Sequence, residues 1–170
     1  MMAAAVMITE FRKHRDNNQM DWQAELLILW RVALSTVLGG LIGFERHLHG
    51  REAGVRTYAA VALGACAFSA ISQHLIGPTT DPSRIASNVV TGMGFLGAGV
   101  ILRDKGRTTG LTTAATLWAT AAVGMALGFD MYLLGPALAV LILIVLASHR
   151  LPGLGSEGSD DPQNPTEMPE

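Results

Sequence analysis

Charge is scarce enough in the middle of this chain that each ionisable residue there can be weighed singly. Glu45 and Arg46 stand where one apolar run ends, Arg56 where the next begins and Arg103 where a third closes. Four charges therefore fall at one level of the molecule. Such a group either anchors helix ends at a membrane interface or forms a docking or anion-binding patch, and on this reading Glu45 is placed to pair with Arg56 or Arg103. Asn88 lies near the start of another apolar run, where a carboxamide either bonds across helices or holds a ligand. Of 12 Lys and Arg, only Arg31 lies inside a run. It is about 7–8 Å deep at 1.5 Å per residue, so its side chain can snorkel to the surface, the alternative being a functional charge.

Other chemistry is thin. His74 beside Gln73 suits an interfacial position, and His47 and His49 share a basic loop without the ligand count of a metal site. The single cysteine, Cys66, falls in mid-run and reads as a small packing residue. No Ser/His/Asp or Cys/His arrangement, paired carboxylates or phosphate loop followed by Lys occurs in the runs or short loops. The expectation is a non-enzyme without catalytic, cofactor-binding or metal-ligating residues. Gly92-Met93-Gly94-Phe95-Leu96-Gly97 satisfies the G-x-G-x-x-G string of a dinucleotide-binding turn. It lies inside an apolar helix, with no preceding strand and no acidic residue about 20 positions on, so helix packing explains it better. The basic residues are few and split between short loops, which argues against nucleic-acid binding.

The elements that position these residues are five apolar runs, 26–44, 57–76, 85–102, 111–129 and 131–147. A hydrocarbon layer about 30 Å thick takes roughly 20 helical residues to cross, so the fold class is an all-α, polytopic membrane bundle of about five transmembrane helices. Composition agrees: 49% of residues are hydrophobic, 15% are charged and mean hydropathy is +0.34. Lipid tails give helices no hydrophobic reason to associate, so small residues that allow close backbone approach carry the packing. Span four repeats Thr112, Thr116, Thr120, Gly124 and Gly128, and span one repeats Arg31, Ser35, Gly39 and Gly43. Span two offers Ala60 and Gly64, while Asn88, Gly92, Phe95 and Gly99 share one face of span three, with Gly94 and Gly97 completing its glycine set. A compact bundle around spans one to four follows, with the Leu- and Val-rich span five facing lipid.

Three regions result: an N-terminal extension, 1–24, with Met20 as an alternative start; a transmembrane domain, 25–149; and a Pro-, Gly- and acid-rich tail, 150–170, expected to be disordered. Trp22 suits an interfacial anchor. Loop 45–56 carries Arg46, Arg51 and Arg56, and loop 103–110 carries Arg103, Lys105 and Arg107, whereas 77–84 holds only Arg84. Basic loops stay inside, which puts the N-terminus outside and the C-terminus in the cytoplasm.

Four stretches, in order, resemble the MgtC/SapB family of bacterial inner-membrane proteins. They are Leu38-Gly39-Gly40-Leu41-Ile42-Gly43-Phe44-Glu45-Arg46; Arg51-Glu52-Ala53-Gly54-Val55-Arg56-Thr57; Gly92-Met93-Gly94-Phe95-Leu96-Gly97-Ala98-Gly99-Val100-Ile101-Leu102-Arg103; and Gly110-Leu111-Thr112-Thr113-Ala114-Ala115-Thr116-Leu117-Trp118. The resemblance covers about residues 25–147. It implies a five-span fold and a link to magnesium limitation, stress adaptation and, in some members, survival inside host cells. Longer members add a soluble C-terminal domain. The family bears the label of magnesium transport but is generally regarded as regulating other membrane proteins. The expected partners are thus lipid and another integral membrane protein or further copies of the chain. A transporter or channel for Mg²⁺ or another small solute is the alternative, although Mg²⁺ favours oxygen ligands and no carboxylate lies within a run.

Overall fold

The computed structural model describes residues 22–74, 81, 83–104 and 107–148. The extension before Trp22 and the acidic tail lie outside the described residues. Five helices run through the described chain: α1 (Trp22–Leu48), α2 (Val55–His74), α3 (Ser83–Val100), α4 (Leu111–Gly128) and α5 (Leu134–Ala147). A two-stranded hairpin, β1 (Leu102–Asp104) and β2 (Arg107–Thr109), joins α3 to α4. The protein is a helical membrane protein. Helices α1, α2 and α4 are long and apolar enough to cross a bilayer, and α5 is a shorter apolar helix of 14 residues.

Each expected span coincides with a helix, with two informative differences. Span five starts at Leu134 rather than 131, because Phe129 and Asp130 turn the chain and α5 follows with Pro136 in its first turn, where a missing N–H costs no helical bond. Loop 103–110 contains an antiparallel pair in the register Leu102↔Thr109, Arg103↔Thr108 and Asp104↔Arg107. Three-residue strands are too short to show an alternating pattern in sequence.

Helix α4 is the hub, packing on all four of the others, while α1 and α2 form the most extensive pair. The reason is side-chain size. A Cβ on Gly39 would stand 2.6 Å from both the Ala62 Cβ and the Tyr58 carbonyl oxygen, and one on Gly43 would stand 2.7 Å from the Val55 Cα. Across the next interface a Cβ on Gly124 would run into the Ala62 carbonyl, and one on Gly128 would stand 2.5 Å from the Ser69 Cβ. Backbones this close exchange dispersion contacts that lipid would otherwise supply. A buried hydrogen bond helps tie α2 to α4: the Thr116 hydroxyl donates within its own helix to the Thr112 carbonyl at 2.9 Å, so the buried Tyr58 hydroxyl donates to Thr116 Oγ1 at 2.5 Å.

Helix α5 buries Gly135, Ala139, Ile142 and Leu146 and exposes Val140, Leu141, Ile144 and Val145, as a helix with one face to lipid should. Helix α3 is the least embedded. Only Met93 and Gly97 are buried along it, and Phe95 is 83% exposed.

Candidate functional site

An open groove of about 710 Å³ separates α2 from α3. Ala60, Gly64 and Phe68 line one wall and Asn88, Gly92 and Leu96 the other, each set at four-residue spacing. Here the small residues do not close a contact. A Cβ on Gly64, Gly92, Gly94 or Gly99 would meet nothing within 4 Å, and Thr112 is exposed. The sequence-based packing set therefore divides. Gly39, Gly43, Thr116, Thr120, Gly124 and Gly128 pack inside the bundle, and Gly97 touches Ala114 at 3.6 Å. The others face outward, because α3 turns only its Met93 and Gly97 edge toward α4.

The polar side chains lining this groove are Thr57 on α2 and Asn88 on α3. Ser87 donates to the Arg84 carbonyl at 2.8 Å and Thr91 to the Ser87 carbonyl at 2.9 Å, so both hydroxyls are satisfied within α3. Asn88 is exposed on the groove wall and has no hydrogen-bond partner among the described residues. At the head of α3, the backbone N–H of Ser83 donates to Asp81 Oδ1 at 2.9 Å. That bond and one from the Ser83 side chain hold the Asp81 carboxyl below the ordinary carboxylate range.

The four charges expected at one level adopt different environments. Arg46 is 4% exposed and pairs with its neighbour Glu45, Nε to Oε2 at 2.6 Å and Nη2 to Oε1 at 3.0 Å. His49 Nδ1 lies 3.1 Å from Glu45 Oε1 and 2.8 Å from the Glu45 carbonyl. The pair is local because α1 continues to Leu48 and carries Glu45 and Arg46 on its last turn, with His49 directly after it. Arg56 and Arg103 are exposed.

At the opposite end of the bundle lies a cluster that sequence reasoning missed. Arg31 Nη2 forms an ion pair with Asp130 Oδ1, and Arg31 Nε donates to the Tyr132 hydroxyl at 2.7 Å. The guanidinium sits 5.6 Å from the centre of the Tyr132 ring. Gln73, with its amide turned so that nitrogen faces acceptors, donates to Asp130 Oδ2 at 3.1 Å and the Gly128 carbonyl at 3.2 Å. Three helices and a turn are thus joined. Asp130 holds φ at 63°, a left-handed conformation that ends α4 and disfavours residues other than Gly or Asn. The available signal was a lone arginine in span one and a lone acid between spans four and five. The 98 residues between them hid the pairing.

Fold and site together define the class: a helical membrane protein with a tightly packed α1–α2–α4 core and a loosely attached α3. Residues 32–151 match the MgtC family, and the chain belongs to that family. It is 43% identical over 130 residues to the "Putative magnesium transporter YhiD" of Escherichia coli K12, covering 72% of this chain and 60% of that protein. It is 45% identical over 119 residues to "Protein MgtC" of Brucella abortus strain 2308, covering 70% of this chain and 50% of that protein. An uncharacterized Synechocystis protein is 37% identical over 149 residues, covering 88% of this chain and 61% of its own length. The chain thus spans between half and about three-fifths of the relatives it matches. No solved structure matches it.

Proposed function

We propose that this protein is a non-enzymatic regulator in the bacterial inner membrane, acting on another integral membrane protein during adaptation to magnesium limitation or stress. Its N-terminus faces outward and its C-terminus the cytoplasm, a reading supported by the basic loops 45–56 and 103–110. The observation that carries the proposal is the α2–α3 groove. An acyl chain can fill an apolar slot but offers Asn88 neither donor nor acceptor. A transmembrane helix with a small-residue face and one hydrogen-bonding side chain meets both demands. Glu45, Arg46, Arg56 and Arg103 lie toward the other end of the bundle, where Arg56 and Arg103 are exposed to cytoplasmic segments of the same partner.

The magnesium name of the Escherichia coli relative supports a second reading, a transporter or channel. Against it stands the pairing of Asp130 with Arg31, whose guanidinium offsets the carboxylate's charge and repels a divalent cation beside it. Crosslinking in native membranes and Mg²⁺ flux into liposomes separate the two. The regulator reading expects a captured membrane protein, lost with Gly92→Leu and reduced roughly fivefold with Asn88→Ala, since an interhelical hydrogen bond is worth about 1 kcal/mol. Protein-dependent Mg²⁺ flux abolished by Asn88→Ala overturns it, as does an unchanged capture set.

A further inference from the structure

A recess of about 400 Å³ opens between the start of α1 and the end of α2, at the Arg31–Asp130 end of the bundle. Leu27 and Ile28 form an apolar wall, and Arg31, Gln73, His74 and Asp130 form the polar side. We propose that it is a binding site for a phospholipid with a zwitterionic, primary-ammonium headgroup. The proposal is independent of the α2–α3 docking reading.

Three observations converge on that ligand. First, the recess presents both signs of charge. Arg31 contributes a guanidinium whose Nε and Nη2 are committed to Tyr132 and Asp130, leaving Nη1 for a phosphate oxygen. Asp130 contributes a carboxylate whose side chain is 45% exposed. Its contacts with Arg31, Gln73 and, at 3.4 Å, the Tyr132 hydroxyl leave room for one further donor. A purely anionic headgroup would meet Asp130 unfavourably, and a lone cation would meet Arg31 in the same way. A quaternary ammonium satisfies the charge but has no N–H to donate.

Second, Leu27 and Ile28 give the recess an apolar flank beside its charged groups, a surface that an amphiphile can cover and a soluble zwitterion cannot. Third, the depth is right. Helix α1 has 27 residues, about 40 Å at 1.5 Å per residue, against a hydrocarbon layer of about 30 Å, which sets Arg31 roughly 8 Å below the boundary. Helical side chains lean toward the N-terminus, which carries the guanidinium back toward headgroup level. Trp22 and Trp30, 64% and 60% exposed, mark the same end of α1 as an interfacial belt.

The test uses the full chain purified in detergent, with native mass spectrometry after addition of equimolar phosphatidylethanolamine, phosphatidylcholine and phosphatidylglycerol. The wild type should retain one phosphatidylethanolamine in preference to either of the others by roughly fivefold, the discrimination that one partly exposed ion pair gives. Ala24→Trp fills the mouth without touching the ion pair and should abolish the preference. Asp130→Asn leaves the recess net positive and should turn it toward phosphatidylglycerol, a change that mere loosening of the bundle would not produce. Equal retention of the three lipids by the wild type overturns the proposal. So does a phosphatidylethanolamine preference that survives in Ala24→Trp, or one unchanged in Asp130→Asn with the helical content intact.

Discussion

Two kinds of glycine in this bundle should respond oppositely to the same methyl group. Gly124 is enclosed: an added Cβ would run into the Ala62 carbonyl and stand 3.0 Å from the Ala65 Cβ, both on α2. Neither is the far end of a flexible side chain, so relief requires α2 and α4 to move apart by roughly 0.5–1 Å, which forfeits a quarter to a half of each dispersion contact along the seam. Overpacking of this kind costs about 1–3 kcal/mol, and the rigid backbone partner places Gly124→Ala at the upper end. Gly39→Ala meets the Tyr58 carbonyl and the Ala62 Cβ, each at 2.6 Å, and belongs with it. Gly92→Ala and Gly64→Ala meet nothing within 4 Å, so only the helix preference for alanine remains, up to about 1 kcal/mol in their favour. Reversible unfolding in mixed micelles should therefore separate Gly124→Ala from Gly92→Ala by about 3 kcal/mol, or more than a hundredfold in the unfolding constant. Equal stabilities for these two variants would refute the claim that α2–α4 contact, and not general helix content, holds the bundle together.

Two further outcomes follow from named contacts. Arg31→Gln strands the Asp130 carboxylate and should cost about 1–2 kcal/mol, less than a fully buried pair because that side chain is 45% exposed. The double variant with Asp130→Asn should recover part of the loss, and strictly additive effects in a double-mutant cycle would deny the coupling. Asp81 lies outside the spans with its carboxyl held low by the hydrogen bonds from Ser83. Its contribution to the start of α3 is present above the ordinary aspartate value of about 3.9 and is lost as pH falls through the depressed folded value. Amide exchange at Ser83 and Arg84 should accelerate only in that acid window. In Asp81→Asn the acid-dependent step should disappear; its persistence would assign the titration elsewhere.

Helix existence was legible in the chain because a 17- to 20-residue apolar run has few alternatives in lipid. The close-packed faces of α1 and α4 were legible too. Gly39 with Gly43, and Thr116 with Thr120, Gly124 and Gly128, recur at four-residue spacing, and any helix that presents such a stripe permits close approach. The same spacing at Gly64, Gly92 and Gly99 meets no helix of this chain, because periodicity says which residues share a face and nothing about which helix that face meets. Glu45 illustrates the limit at short range. Its engagement with Arg46 and His49 follows from α1 extending through Leu48, a boundary that hydropathy blurs once charged residues begin.

What the sequence determined by itself is the solvent: an apolar chain with its charges gathered at the ends of its runs places its helices in a membrane whatever their arrangement. Tertiary structure alone decided that α4 sits at the centre, that α3 leaves a groove beside α2, and that Arg31 meets Asp130. Burial in lipid depends on composition summed along a segment. Contact depends on the crossing and rotation of helices far apart in the chain, which side chains fix only when they meet.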